Sequence, residues 1–134
     1  MLLSNKRIFL IEDDLKNLNM MQLMLEKYEA RISYERWGHD TTLHLQLFAP
    51  VDLILLDLNF PNGVSGFDIY DAIRALPAFA TVPIAAVSAA DASETLPIAQ
   101  AKGFAGYISK PVDFVLFPQQ VAALIEGRHI WQEI

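Results

Sequence analysis

Residues 51–57 read Val51-Asp52-Leu53-Ile54-Leu55-Leu56-Asp57, four consecutive large apolar side chains closed by a carboxylate. A strand with one wet face alternates polar and apolar residues, so this unbroken run reads as a strand covered on both sides. Upstream, Arg7-Ile8-Phe9-Leu10-Ile11 has the same character and stops at Glu12-Asp13-Asp14. Downstream, 82–87 is a third apolar run and ends at Ser88, while 105–109 is a fourth, followed by Lys110-Pro111. Residues 32–36 read as a weaker strand.

Helical spacing fills the intervals. Leu18, Met21, Leu25 and Tyr28 recur at steps of three and four, which predicts a helix over 15–29 with Asp14 as its N-cap. A second helix is expected over 39–48, with Leu43, Leu47 and Phe48 facing inward. Pro61 and Asn62-Gly63 mark a turn inside the loop 58–65. A third helix follows over 66–76, stopped by Pro77. A short fourth helix is expected over 95–102, confined to its first turn or kinked by Pro97, with Gly103 as the residue that ends it. The last helix is expected over 118–126, with Pro118 at its start and Val121, Leu124 and Ile125 on its core face. Alternating strands and helices predict an α/β fold, a five-stranded parallel sheet covered on both faces by five helices. In such sheets the binding crevice lies at the carboxyl ends of the strands.

The 134 residues suffice for one domain, and a 53% apolar share rules out a disordered tail protein. We expect one domain over 1–134, a core over 5–127 and a short tail over 128–134, with Met1 and a terminal helix favouring a stand-alone chain. No apolar run approaches the ~20 residues that span a bilayer, and the N-terminal charge order is wrong for a secretory signal. No membrane association is expected. With no cysteine there is neither a disulfide framework nor a thiolate ligand or nucleophile. The expected location is the cytoplasm. A net charge of −6 without any basic cluster argues against direct nucleic-acid binding, so the expected partners are proteins. His39, His44 and His129 lack metal-ligand spacing, and Met20, Met21 and Met24 read as a packing stripe.

Parallel strands end on one edge, so Glu12, Asp13, Asp14, Asp57, Ser88 and Lys110 should converge there. Packed carboxylates repel one another, and a hard divalent cation relieves this through an all-oxygen ligand set. A lysine and a hydroxyl beside them suit the oxygens of a phosphoryl group, with a carboxylate as nucleophile.

The segments IFLIEDD, DLILLDLNFP with Gly66 beyond, AAVSA and GYISKP, in this order and each at a strand end, resemble the receiver domain of two-component response regulators. The resemblance covers nearly the whole chain. It implies a flavodoxin-like strand order, 2-1-3-4-5. By position it implies Asp57 as phosphoacceptor, and Glu12, Asp13, Asp57 and the Asn59 backbone carbonyl around Mg²⁺. It also implies Ser88 and Lys110 on phosphoryl oxygens, Tyr107 as an aromatic that turns inward when the Ser88 hydroxyl moves, and Pro111 as a candidate for a cis peptide. Implied partners are a sensor histidine kinase or a histidine phosphotransfer protein, and a downstream protein target on the face of the fourth helix, fifth strand and fifth helix. The implied role is a signalling module that catalyses only its own phosphorylation and dephosphorylation.

Departures from the common pattern are one extra residue between Asp57 and Gly66, within 62–65, Pro97 in the fourth helix, and Ala90 two residues past Ser88. The rival readings are a pseudo-receiver that works by constitutive contact and a Mg²⁺-dependent phosphatase. Haloacid-dehalogenase-type phosphatases need a second Asp two residues past the nucleophile, where this chain has Asn59. The apolar tail 130–134 either folds back, the preferred reading, or makes a homodimer contact.

Overall fold

The computed structural model describes residues 1–131. Strand side chains alternate between two cores, one on each face of a single sheet. From β1 (Arg7–Ile11), Phe9 and Ile11 enter one core while Ile8 and Leu10 enter the other. β3 (Leu53–Leu56) and β4 (Ile84–Ser88) divide their residues in the same way, as a period of two requires. α1 (Leu15–Glu26) and α5 (Leu116–Ile125) cover one face through Leu18, Met21, Leu25, Phe117, Val121 and Leu124. α2 (Thr41–Phe48), α3 (Gly66–Arg74) and α4 (Ala92–Lys102) cover the other through Leu45, Ile69, Ile73, Leu96 and Ala99. With β2 (Arg31–Glu35) and β5 (Gly106–Ser109), every strand pairing is parallel.

The sheet has six strands in the order β2-β1-β3-β4-β5-β6, not five. After α5 the chain turns at Gly127, whose φ of +95° suits glycine, and β6 (Ile130–Trp131) runs parallel to β5. The tail folds back because Ile130 packs on the α1–α5 core and its N–H reaches the Ala105 carbonyl, 3.3 Å away. The end of the expected tail, 132–134, lies outside the described residues.

The helices begin and end where caps permit. Asp14 caps α1 by accepting from the Asn17 N–H at 3.0 Å. α1 stops at Glu26, before the expected end, because Glu29 adopts a left-handed φ of 69°. On α2 the inward stripe is Thr41, Leu45 and Phe48, while Leu43 and Leu47 face solvent. Phe48 packs inward as expected, but Leu43 and Leu47 do not, because Thr41, Leu45 and Phe48 recur at steps of four and three and so occupy the face toward the sheet. α4 begins at Ala92, since Asp91 accepts from the Ser93 N–H at 2.9 Å, and Pro97 lies within it. The cap and the buried Leu96 and Ala99 hold this helix on both sides of the missing N–H. α5 also starts early, because Asp113 Oδ1 accepts from the N–H groups of Val115 and Leu116, each at 2.8 Å.

Candidate functional site

β1, β3, β4 and β5 end on one rim, and main-chain bonds stitch those ends together. The Asp57 N–H donates to the Ile11 carbonyl at 2.9 Å, and the Lys110 N–H to the Ser88 carbonyl at 2.9 Å. Register thus carries Glu12, Asp57, Ser88 and Lys110 to one place before any side chain is considered. The Lys110–Pro111 peptide bond is cis.

At that rim Lys110 Nζ lies 2.5 Å from Glu12 Oε1 and 3.3 Å from Asp57 Oδ2. Glu12 is 1% exposed and Asp57 7%, so little water screens the pairs. The contact to Glu12 is close but poorly aligned as a hydrogen bond, leaving Oε1 without a directed donor. Glu12 Oε2 accepts from the Asp14 N–H at 3.2 Å. Burial first, and then the charge of Asp57, push the Glu12 pKa up to about 7 despite the lysine. Burial works against the Lys110 ammonium, but the charges of Asp57 and Glu12 outweigh it and raise its pKa above the ordinary lysine value.

One carboxylate oxygen from each of Glu12, Asp13 and Asp57 lies within 4.8 Å of the others. Three acids facing one ammonium leave a deficit of positive charge at the rim. An all-oxygen set of this kind fits Mg²⁺, which takes carboxylates and fills its remaining positions with water or a carbonyl. The chain's residues therefore fit the ion. Asp14 is spent on the α1 cap.

The loop from Asp57 to Gly66 closes on itself. The Gly66 N–H donates to the Leu58 carbonyl at 2.9 Å, the Phe60 N–H to the Val64 carbonyl at 3.3 Å, and Asn59 and Ser65 form a bridge. A 3-10 turn spans Pro61–Gly63. Gly66 is required there, because a Cβ would meet the Asp57 carbonyl oxygen at 2.3 Å and Leu58 Cα at 2.5 Å. The Asn59 N–H reaches Asp57 Oδ1 only at 3.4 Å.

Ser88 is fully buried, and its Oγ accepts from the Ala90 N–H at 3.0 Å. Tyr107 is fully buried too, its hydroxyl 2.7 Å from Thr95 Oγ1 and donating to the Ala90 carbonyl at 3.3 Å. The ring is thus inward. Sequence reasoning missed Thr95 as its partner, and it also missed Arg36. The guanidinium of Arg36 lies over the Trp37 ring, and its Nη2 donates to the Asp13 carbonyl at 3.0 Å. The available signal was an arginine at the end of a strand on the acid-bearing edge.

A family model described as the response regulator receiver domain matches residues 8–122. The chain belongs to the response regulator receiver domain family. This receiver domain is similar to the transcriptional regulatory protein CitT of Halalkalibacterium halodurans, 32% identical over 130 residues that cover 95% of this chain and 55% of that protein. It is also similar to the autoinducer sensor kinase/phosphatase CqsS of Vibrio cholerae, 25% identical over 90% of this chain and 17% of that protein. The chain therefore spans only part of the length of either relative. Among solved structures, the signal receiver domain of a DNA-binding response regulator from Colwellia psychrerythraea is 27% identical, with a TM-score of 0.79 over 91% of this chain and 99% of that one. The chemotaxis response regulator CheY4 of Vibrio cholerae, 18% identical with a TM-score of 0.80 over 90% and 99%, shares the fold. Receiver domains are signalling units of two-component systems, where they pair with histidine kinases. No helix among the described residues is long and apolar enough to cross a membrane.

Proposed function

We propose that Asp57 accepts a phosphoryl group from the phosphohistidine of a sensor histidine kinase or a histidine phosphotransfer protein. An Asp57 carboxylate oxygen attacks phosphorus, the new O–P bond forms as the P–N bond breaks, and the electron pair leaves on the imidazole nitrogen. The product is an acyl phosphate. Glu12, Asp13, Asp57 and the Asn59 carbonyl would hold Mg²⁺, which would supply positive charge for the phosphoryl oxygens. Lys110 neutralises charge on another oxygen, and Ser88 donates to a third. The observation that carries this reading is the ammonium of Lys110, 3.3 Å from an Asp57 carboxylate that shares its rim with two further acids.

Ser88 Oγ accepts from the Ala90 N–H while keeping its own hydrogen to donate to a phosphoryl oxygen, and the Ala90 carbonyl accepts from the Tyr107 hydroxyl. Movement of Ser88 is thereby coupled to Tyr107 and to the α4–β5–α5 face, the proposed docking surface for a downstream protein. Because β6 lies on the outer edge of β5, that face includes Ile130 and Trp131. A shift of a few kcal/mol between two states would change partner affinity more than tenfold. The further elements of the reading are one domain over 1–134, a cytoplasmic setting and no direct nucleic-acid contact, with a homodimer contact as the alternative to fold-back for the tail.

Intact mass after incubation with acetyl phosphate and Mg²⁺ tests the proposal. The natural chain should gain one phosphoryl unit and Asp57→Asn none. A chain inert to acetyl phosphate and to beryllium fluoride would instead be a pseudo-receiver, and repeated turnover of a phosphate ester would indicate a phosphatase.

A further inference from the structure

The connection between β2 and α2 is built around a buried acid that the phosphoryl chemistry does not use. Glu35 is 6% exposed, and its carboxylate accepts from the Trp37 N–H at 2.6 Å, the Gly38 N–H at 2.9 Å and Thr41 Oγ1 at 2.5 Å. Its carbonyl accepts from the Glu12 N–H at 3.2 Å, so the same residue also ties the end of β2 to the end of β1. Glu35 thus fixes the main chain of Trp37. The Trp37 ring, 47% exposed, then serves as a platform for the Arg36 guanidinium, whose Cζ lies 4.5 Å from the ring centroid. Nη2 of that guanidinium donates to the Asp13 carbonyl at 3.0 Å, while Nε is shielded from water with no acceptor. Burying an N–H without a partner costs free energy, so the ring stack and the Asp13 bond must outweigh that cost to hold the group in place.

We propose that Arg36, seated on Trp37, is a positioning residue for Asp13, gripping its main chain so that its carboxylate stays directed at the metal position shared with Glu12 and Asp57. The claim rests on the metal site of the proposed function. A guanidinium suits the role: its rigid fork, seated over an indole, holds its direction, which a flexible ammonium does not. The positive charge alone would act the other way, since a cation near the rim repels another cation. Charge and position therefore predict opposite signs, and the two can be separated.

Calorimetric titration with Mg²⁺ alone, beside urea unfolding in chelator, provides the test. Arg36→Gln should weaken Mg²⁺ binding about tenfold, as loss of a residue that orients a ligand does. Arg36→Lys, which keeps the charge, should weaken it comparably. Trp37→Ala should weaken it several-fold, and Trp37→Phe, which keeps a stacking face, should stay within about twofold of the natural chain. Gly106→Ala supplies a destabilised control that touches neither Asp13 nor Arg36. Unchanged or tighter binding in Arg36→Gln overturns the proposal, as does a loss that Gly106→Ala matches at equal loss of stability. A natural chain without Mg²⁺ affinity would overturn the metal reading and this one together, whereas normal affinity that is insensitive to Arg36 overturns this one alone.

Discussion

Lys110 pairs more closely with Glu12 than with Asp57, at 2.5 Å against 3.3 Å. The ammonium thus offsets part of the acids' charge, and a cation bound between Glu12, Asp13 and Asp57 would compete with it for Glu12. Lys110→Met should leave Mg²⁺ affinity at least as tight as in the natural chain, because the competitor is gone. It should lower stability in chelator by about 3 kcal/mol, the cost of leaving buried carboxylates without their partner. Labelling of Asp57 by acetyl phosphate should fall at least ~10²-fold, as expected when a donor to developing charge is removed. Calorimetry, urea unfolding and intact mass read the three effects separately.

The raised pKa of Glu12 sets a pH dependence with a definite sign. Its folded pKa is about 7, above the ordinary 4.5, so the folded metal-free chain binds more protons than the unfolded chain between these values. That contribution to stability is complete below about 4.5 and is lost as pH rises through about 7. Mg²⁺ binding needs the carboxylate and must displace the proton, so apparent affinity should rise about tenfold between roughly pH 6 and 8. Glu12→Gln should flatten both profiles. Titration calorimetry in two buffers of different ionisation enthalpy would also detect the released proton.

Gly66 should tolerate no side chain. A Cβ there meets the Asp57 carbonyl oxygen at 2.3 Å and Leu58 Cα at 2.5 Å, both backbone atoms that cannot swing aside. Gly66→Ala should cost about 3 kcal/mol in urea unfolding and weaken Mg²⁺ binding, because relief comes by moving Asp57.

The sixth strand makes a coupled prediction at the opposite edge. A Cβ on Gly106 would lie 2.6 Å from the Ile130 carbonyl oxygen, and 3.0 Å from the more yielding Leu124 Cδ2. Gly106→Ala should cost about 2 kcal/mol in the full chain and clearly less in a chain ending at residue 127. A double-mutant cycle between substitution and truncation should return a coupling of about 1 kcal/mol. Additive effects would mean that β6 does not hold the β5 edge in solution.

The apolar runs closed by Glu12, Asp57 and Ser88 were legible without coordinates, because a strand buried on both faces writes its burial into consecutive residues. Parallel pairing then required their ends to meet on one rim. Caps at Asp14 and Gly103 were legible for the same local reason. Other features depend on partners far along the chain, and no local period encodes them. The Tyr107 hydroxyl finds Thr95 across 12 positions, where α4 packs against β5. Arg36 meets Asp13 across 23 positions, and β6 exists only where α5 returns the chain to the edge of β5. The sequence alone thus determined the strand-and-helix alternation and the acids at the rim. Tertiary structure alone decided the sixth strand, the inward Tyr107 and the Arg36 grip, since each is a contact whose energy appears only after distant segments have packed.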